Sequence, residues 1–236
     1  MNKTILLFSF VAACLVSIGE PVNSMLGSDG IEIIYDNNSP LPDGVVAVEY
    51  LESRDYGRFL SPIPLTENIL SYGVTMNLRV ALPRAGNNRG LLSHGTTMLA
   101  SPWVIAIGSS EGECKLYSYT KFQKNFSEVQ TETDLVIYVD KDSVYLSVHG
   151  TMQGGRYATN IPYGENLVIL GYDQLSSSAV AGTRLYAFQM KIGDELVVDM
   201  IPVRIGSEGA MFDLISEEVI YNAGSLPFIV GPDVED

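Results

Sequence analysis

The strongest catalytic pattern in the sequence is a pair of carboxylates on one predicted strand. Glu132 and Asp134 lie two residues apart, so both side chains project from the same face of an extended chain. Retaining glycosidases hold two carboxyl groups about 5 to 5.5 Å apart, one as nucleophile and one as acid. In a Glu-x-Asp-x-x-Glu strand, the second glutamate would stand where this chain has Ile137. We therefore predict no catalytic residues, and a hydrolase with an unrecognised carboxylate pair is the remaining enzyme alternative.

Histidine and cysteine chemistry is sparse. His94 and His149 are the two histidines, and no Gly-x-Ser-x-Gly turn provides a serine nucleophile. We expect each histidine at the surface or in a turn. Cys114 precedes an alternating run and is expected to be a small apolar residue of a half-buried strand. A zinc site needs three or four closely spaced ligands, and these residues do not supply them.

Calcium is the one cofactor that the sequence suggests. Asp140 and Asp142 form the tightest acidic pair in a predicted turn, and calcium takes carboxylate and carbonyl oxygens as ligands. These two aspartates are therefore the candidate metal ligands, with Asp173 and Asp213 as weaker candidates of the same kind. A hairpin turn explains Asp140 and Asp142 equally well without a metal.

A binding site for a glycan combines an exposed aromatic ring with amide and carboxylate groups. The loop at 173–182 is long and polar and has three consecutive serines, which makes it the most ligand-like connection. The sequence predicts four ligand-binding residues: Tyr145, Tyr172, Asp173 and Gln174. The single tryptophan, Trp103, begins an apolar run and is expected to be a core residue.

Charge restricts the partners. The chain has 28 acidic and 14 basic residues and a formal net charge of −14. Nucleic acid and anionic lipid select for clustered Lys and Arg, so neither is an expected partner. A glycan or a surface protein is compatible with this balance.

Residues 1–24 have the pattern of a signal peptide. Lys3 precedes an apolar run at Ile5–Ile18, which is shorter than the roughly 20 residues of a membrane span. Val22–Ser24 offers small residues for cleavage, while Val11–Cys14 resembles a lipobox that would acylate Cys14. We expect an exported protein, extracellular or in the cell envelope, either secreted or lipid-anchored at Cys14, without a membrane span in its mature form.

Residues 25–43 are predicted to form a polar segment before the domain, with one strand at Ile31–Tyr35. Residues 44–236 are predicted to form a β domain. Apolar residues alternate with others through Val74–Leu82, and no long helical stripe occurs. Alternating runs flank Lys141-Asp142 and Gly193-Asp194, which predicts two hairpins. The pattern predicts an all-β fold, either a sandwich or a barrel.

The second hairpin allows finer predictions. We expect one core face shared by the alternating residues Tyr186, Phe188, Met190, Ile192, Leu196, Val198 and Met200. Asp199 lies between two apolar residues and must be paired or reach solvent. We expect Asp199 to accept hydrogen bonds from a neighbouring backbone or from Arg184 or Arg204.

Several segments together resemble the concanavalin A-like, laminin G-like jelly-roll domains of bacterial surface proteins and phage structural proteins. The resemblance lies in Val48–Ser53, Leu167–Gly171, Arg184–Ile192, Leu196–Arg204, Gly209–Asp213, Val219–Gly224 and Phe228–Val234. It implies an all-β fold, a two-sheet antiparallel jelly-roll sandwich of the concanavalin A-like lectin and glucanase type.

Three functions are compatible with this sequence. The first is a non-catalytic extracellular binding or adhesion module, with a glycan as its ligand. The second is a structural protein of a surface or phage-fibre assembly that binds other proteins. The third is the cryptic glycoside hydrolase named above. One sandwich fold serves many roles, so the site must decide among them.

Overall fold

A computed structural model describes residues 41–54, 57–86, 89–95, 101–118, 121–157, 166–172 and 181–234. Regular structure in these ranges is mostly β-strand. The strands, in chain order, are β1 (Val45–Ala47), β2 (Leu51–Glu52), β3 (Phe59–Leu60), β4 (Val74–Ala81), β5 (Arg89–Ser93), β6 (Val104–Ile107), β7 (Cys114–Ser118), β8 (Phe122–Phe126), β9 (Thr133–Val139), β10 (Ser143–Val148), β11 (Thr151–Arg156), β12 (Val168–Ile169), β13 (Arg184–Ile192), β14 (Glu195–Ile205), β15 (Glu208–Asp213), β16 (Glu218–Ile220) and β17 (Ile229–Val230).

One helical turn, α1 (Glu67–Leu70), precedes β4. The side chain of Thr66 caps it by accepting a hydrogen bond from the backbone N–H of Ile69 at 3.3 Å. Within the described ranges, no helix has the length and apolar character needed to span a membrane.

The strands form two antiparallel sheets, as the sequence predicts. The large sheet has the order β11-β10-β9-β4-β13-β14-β15-β16, and the three short strands β1, β2 and β17 pair alongside it. The small sheet has the order β3-β12-β5-β6-β7-β8. Its edge strand β8 contacts β11, the edge strand of the large sheet. The fold is therefore an all-β jelly-roll sandwich.

The core lies between the sheets because the strands alternate. In β9, every second residue from Thr133 to Val139 is buried, and the three residues between them are half-buried. Trp103 is fully buried in this core, as predicted. Cys114 is also fully buried, and burial raises the pKa of its thiol to about 12.

The two predicted hairpins are present. Val139 pairs with Val144 across the first turn, and Ile192 pairs with Glu195 across the second. Gly193 has a φ of 57° in that second turn, a conformation that glycine adopts without steric cost.

The prediction that Tyr186 shares the core face of Phe188 and Met190 is wrong. A shift of register between Leu185 and Ala187, opposite β4, leaves Tyr186 without a ladder partner on that strand. Its half-buried ring instead packs beside Tyr50, with the centroids 5.7 Å apart. The rest of the prediction holds in part: Phe188, Met190, Val198 and Met200 are fully buried, while Ile192 and Leu196 are half-buried.

A second, smaller apolar cluster lies on the opposite face of β14 and β15. It consists of Ile201, Val203, Ala210 and Phe212, which alternate with the core residues of the same strands. Leu41, Val45, Leu214 and Val219 pack against it. The outer face of the large sheet is thus apolar at its β15 end.

We predict that Phe188→Ala lowers the free energy of unfolding by about 3 to 5 kcal/mol, because it empties a fully buried aromatic site at the centre of the large sheet. Denaturant unfolding measures this change. The matched control is Tyr72→Ala, whose ring is 67% exposed and whose loss should cost less than about 0.5 kcal/mol. Equal effects of the two substitutions would contradict the assigned core.

Candidate functional site

The outer face of the large sheet carries aligned rows of side chains. Residues between the core-facing ones project outward, and antiparallel pairing places them side by side. The tyrosine row crosses four strands: Tyr145 on β10 pairs with Tyr138 on β9, Tyr138 with Thr75 on β4, and Thr75 with Lys191 on β13. All four side chains are half-buried.

The two rings of the tyrosine row form a pair. The centroids of Tyr138 and Tyr145 are 6.5 Å apart with a 40° tilt between the ring planes. Gly73 makes room for this arrangement, because a Cβ on that residue would lie 3.0 Å from the Tyr138 hydroxyl. Burial, with smaller contributions from Asp140 and Tyr145, raises the pKa of Tyr138, so its hydroxyl stays neutral and can donate a hydrogen bond.

The next row, here called the amide row, contains Ser147, Val136, Asn77, Gln189 and Asp199 in register on five neighbouring strands. Gln189 Nε2 donates to Asp199 Oδ1 at 3.0 Å. Both amide atoms of Asn77 and Oε1 of Gln189 are buried without a hydrogen-bond partner in the part of the chain that the structure describes. Orphaned polar atoms of this kind are uncommon, and each calls for an explanation.

The row beyond the amide row holds the carboxylates of the glycosidase-like pattern. Arg79 donates from Nε to Asp134 Oδ1 at 2.9 Å and from Nη2 to Oδ2 at 3.1 Å, and Glu132 lies 3.6 Å from Nη1. Ile137 points into the core. Arg79 thus pairs with both carboxylates, most closely with Asp134, an arrangement that suits sheet pairing better than proton transfer.

Of the four predicted ligand residues the structure describes Tyr145 and Tyr172, and these two do not share a surface. Tyr145 lies on the outer face. Tyr172 is 2% exposed, burial raises the pKa of its hydroxyl, and its carbonyl accepts a hydrogen bond from Arg58 Nη1 at 2.6 Å. The ring of Tyr172 therefore lies inside the protein in this structure. Asp173 and Gln174 lie outside the described residues.

The predicted calcium ligands occupy a hairpin turn. Asp140 Oδ1 accepts hydrogen bonds from the backbone N–H groups of Asp142 at 3.0 Å and Ser143 at 2.8 Å. Asp142 accepts from the Ser143 hydroxyl at 3.0 Å and lies 3.6 Å from Arg156 Nε. Across the described ranges, no three acidic, histidine or cysteine side chains lie close enough together to hold a metal ion.

The two histidines differ in position. His149 is exposed in the turn between β10 and β11, as expected. His94 lies in the bend that follows β5, but it is not at the surface: its side chain is fully buried, and burial lowers its pKa to about 4. The imidazole of His94 is therefore neutral at physiological pH.

Asp199 is paired, but neither of the proposed arginines is its partner. Arg184 bonds Glu52 at 3.0 Å, and Arg204 bonds Asp233 at 2.7 Å. The partner of Asp199 is Gln189, directly opposite on β13, while the backbone N–H of Asp199 donates to Asp213 Oδ1 at 2.8 Å. Burial raises the pKa of Asp199; the nearby Asp213 raises it further, and the hydrogen bond from Gln189 opposes the shift.

Tyr138, Asn77 and Gln189 were not among the predicted site residues. The signal for Tyr138 was available, because an alternating hairpin puts it on the same face as Tyr145. The signal for Asn77 and Gln189 was weaker: both are polar residues in strands whose other face is apolar, a pattern that any solvent-facing strand shows.

No protein-family model matches the chain, and no curated protein matches it either. Among solved structures, it is similar to the enzymatically active domain of tailspike protein 2 from bacteriophage CBA120, with 13% identity and a TM-score of 0.42 over 60% of this chain and 25% of that one. A family 7 alginate lyase, A1-II′, matches with 10% identity and a TM-score of 0.39 over 53% of this chain and 63% of the lyase. Galectin LEC-6 from Caenorhabditis elegans matches with 14% identity and a TM-score of 0.37 over 57% and 95%. The chain thus spans a quarter of the tailspike domain and under two thirds of the lyase.

We predict that Asp199→Asn changes how stability depends on pH. A carboxyl whose pKa is raised in the folded state stabilises that state at low pH, and this contribution is lost as the pH rises through the raised pKa. The wild type should therefore lose stability relative to Asp199→Asn as the pH increases from about 4 towards 7, by at most about 1.4 kcal/mol per pH unit.

Urea unfolding at a series of pH values measures this difference. Asp194→Asn is the control, because Asp194 is exposed in the turn of the same hairpin. A stability difference between the wild type and Asp199→Asn that stays constant across this pH range would show that burial does not perturb the Asp199 carboxyl.

Proposed function

We propose that this chain is a non-catalytic binding module that recognises a glycan on the outer face of its large sheet. The tyrosine row is the observation that carries the proposal. Two half-buried rings stand side by side on paired strands, and the backbone ladder holds them in position. A rigid aromatic surface of this kind presents contact area without a large loss of side-chain entropy on binding.

The neighbouring groups suit a sugar. A pyranose ring has an apolar C–H face, which packs on an aromatic ring, and a rim of hydroxyls, which exchange hydrogen bonds with amides and hydroxyls. Thr75 lies beside Tyr138 in the tyrosine row, and Asn77 follows two residues later on the same strand. Asn77 is 1% exposed and its amide atoms are buried, so the half-buried Thr75, rather than Asn77, is the polar neighbour that a sugar can reach.

Charge favours a neutral glycan. The chain carries a net charge of −14, which repels sulfated and uronic acid polymers at long range. Lys191 is the one cation of the tyrosine row, and Arg79 is already neutralised by Asp134. A neutral sugar requires no charge from the protein.

The proposal includes export. The signal-peptide pattern at 1–24 supports delivery to the cell surface or beyond, and the lipobox-like residues before Cys14 support an anchored form as the alternative. A surface glycan is the ligand such a location offers.

A protein partner is a second candidate function, which exposed apolar residues in the last part of the sequence support. Tyr221, Leu226, Ile229 and Val234 are large apolar residues with 39 to 53% of their surface exposed, all within the last sixteen residues of the chain. Exposed apolar residues concentrated in one segment are typical of assembly contacts. Light scattering of the purified protein distinguishes this candidate, which requires large oligomers, from a monomeric glycan binder.

We predict that Tyr145→Ala weakens binding of a neutral polysaccharide by about fivefold to tenfold, because it removes one ring of the stacking surface. Affinity electrophoresis in gels containing glucan, mannan or galactan measures the loss. Tyr117→Ala is the matched control, since Tyr117 is also half-buried in a strand but belongs to the small sheet.

The same gels are run with a calcium chelator, and binding should persist, because Asp140 and Asp142 are occupied by hydrogen bonds of their own turn. Equal losses in the two tyrosine variants would contradict the assigned face. Release of sugar from any of the polymers would show that the protein is a hydrolase rather than a non-catalytic binding module.

A further inference from the structure

A cleft lies where the edge strands of the two sheets approach each other. It has a volume of about 270 Å³ and is lined by Asn125, Phe126, Ser127, Glu128, Val148, His149, Thr151 and Gln153. These residues come from β8 with the segment after it, and from β10 and β11 with the turn between them. The cleft shares no residue with the tyrosine row or the amide row.

The cleft has an apolar floor and a polar rim. Phe126 and Val148 are buried, whereas Asn125, Glu128 and Thr151 are exposed. Six of the eight lining residues are polar, so the cleft is more polar than a usual small-molecule site and suits a ligand with many hydrogen-bonding groups. Its volume is below the range of sites for drug-sized ligands, which begins at about 300 Å³, so it suits a single sugar residue.

Two residues of the rim have unusual backbone conformations. Glu128 has a φ of 70° and His149 a φ of 49°, and both lie in the left-handed region that favours glycine. A tight hairpin turn requires positive φ at the His149 position, but asparagine or glycine meets that requirement at lower cost. Non-glycine residues in this region cluster at ligand sites, because the surrounding structure must hold them there.

The same two residues contact each other. His149 Nε2 lies 3.1 Å from the backbone carbonyl oxygen of Glu128. A carbonyl oxygen only accepts, so Nε2 donates in this contact, and Nδ1 is the ring nitrogen that the contact does not use. Val129, the next residue, is fully buried, and its backbone bonds Gly112 and Leu82, which fixes the segment that carries Glu128.

The remaining rim groups supply both donors and acceptors. Asn125 Oδ1 accepts a hydrogen bond from Gln123 Nε2 at 3.0 Å, so the amino group of Asn125 remains to donate. The Glu128 carboxylate accepts, Nδ1 of His149 is the ring nitrogen that remains for a ligand, and the Thr151 hydroxyl both donates and accepts. No Lys or Arg is among the residues that line the cleft. An anionic ligand is therefore disfavoured, and neighbouring sugar hydroxyls, each a donor and an acceptor, match this set.

We infer that this cleft is a second glycan site, which binds one neutral sugar residue through Asn125, Glu128, His149 and Thr151. The inference builds on the proposed glycan binding and adds a separate surface to it. Two sites on one chain would bind a polymeric glycan with avidity, because the second contact is intramolecular once the first has formed.

The test uses methyl glycosides of glucose, galactose and mannose as probes, with backbone amide shifts of the full folded chain recorded by NMR. We expect one of these sugars to shift the amides of residues 125–128 and 149–153. His149→Asn should lower the apparent affinity measured from those shifts by about tenfold. It should leave the melting temperature unchanged, because asparagine accepts the same turn conformation. Tyr145→Ala should leave the cleft shifts unchanged.

A second variant checks the apolar floor independently of the turn. Val148→Thr keeps the side-chain shape and should lower the apparent affinity measured from the amide shifts of the cleft. A cooperative melting curve shows that the variant is folded. Shifts confined to the outer face would overturn the inference and leave the proposed function standing. Shifts confined to the cleft would support the inference and remove the tyrosine row as the site. No shift with any of the three sugars would overturn both.

Discussion

The register of β4 against β13 is the constraint on which the rest of the structure depends. These strands pair over most of their length at the centre of the large sheet, and each also pairs with a further long strand. Because side chains alternate with a period of two, a slip of one residue would turn Phe188 and Met76 outward and bring Gln189 and Asn77 into the core. Core packing thus fixes the register, and the register in turn aligns the outer rows.

The architecture could be predicted because its cause is local. Alternation along β4, β9 and β10 is visible in the sequence, and the two hairpin turns have the small polar residues that such turns need. The same rule identified Tyr145 as an outward-facing aromatic residue. Alternation predicts well which residues lie on each face of a strand, because the position of a residue in the pattern decides whether it is buried.

The predictions that failed concern residues whose environment depends on contacts between distant segments of the chain. The bulge that displaces Tyr186 lies beside Leu185, where β2 takes the place of β14 as the second neighbour of β13. Burial of His94 follows from its place after β5, a strand packed between two others in the small sheet. Asp199 lies opposite Gln189 rather than Arg184 because the hairpin closes tightly at Gly193. None of these pairings can be predicted from the residues that neighbour the affected residue in the sequence.

The amide row shows where the sequence departs from what the fold alone would favour. A buried polar group without a hydrogen-bond partner costs about 1 to 3 kcal/mol, and Asn77 and Gln189 both contain such atoms. The same strands tolerate apolar residues on this face: Ala187 and Ile201 are buried two residues away on β13 and β14. The ladder uses only backbone groups, so strand pairing does not require the amides. Departures from what local stability favours are expected at functional sites, so the two amides mark the outer face of the large sheet, rather than the core between the sheets, as the place where such a departure occurs.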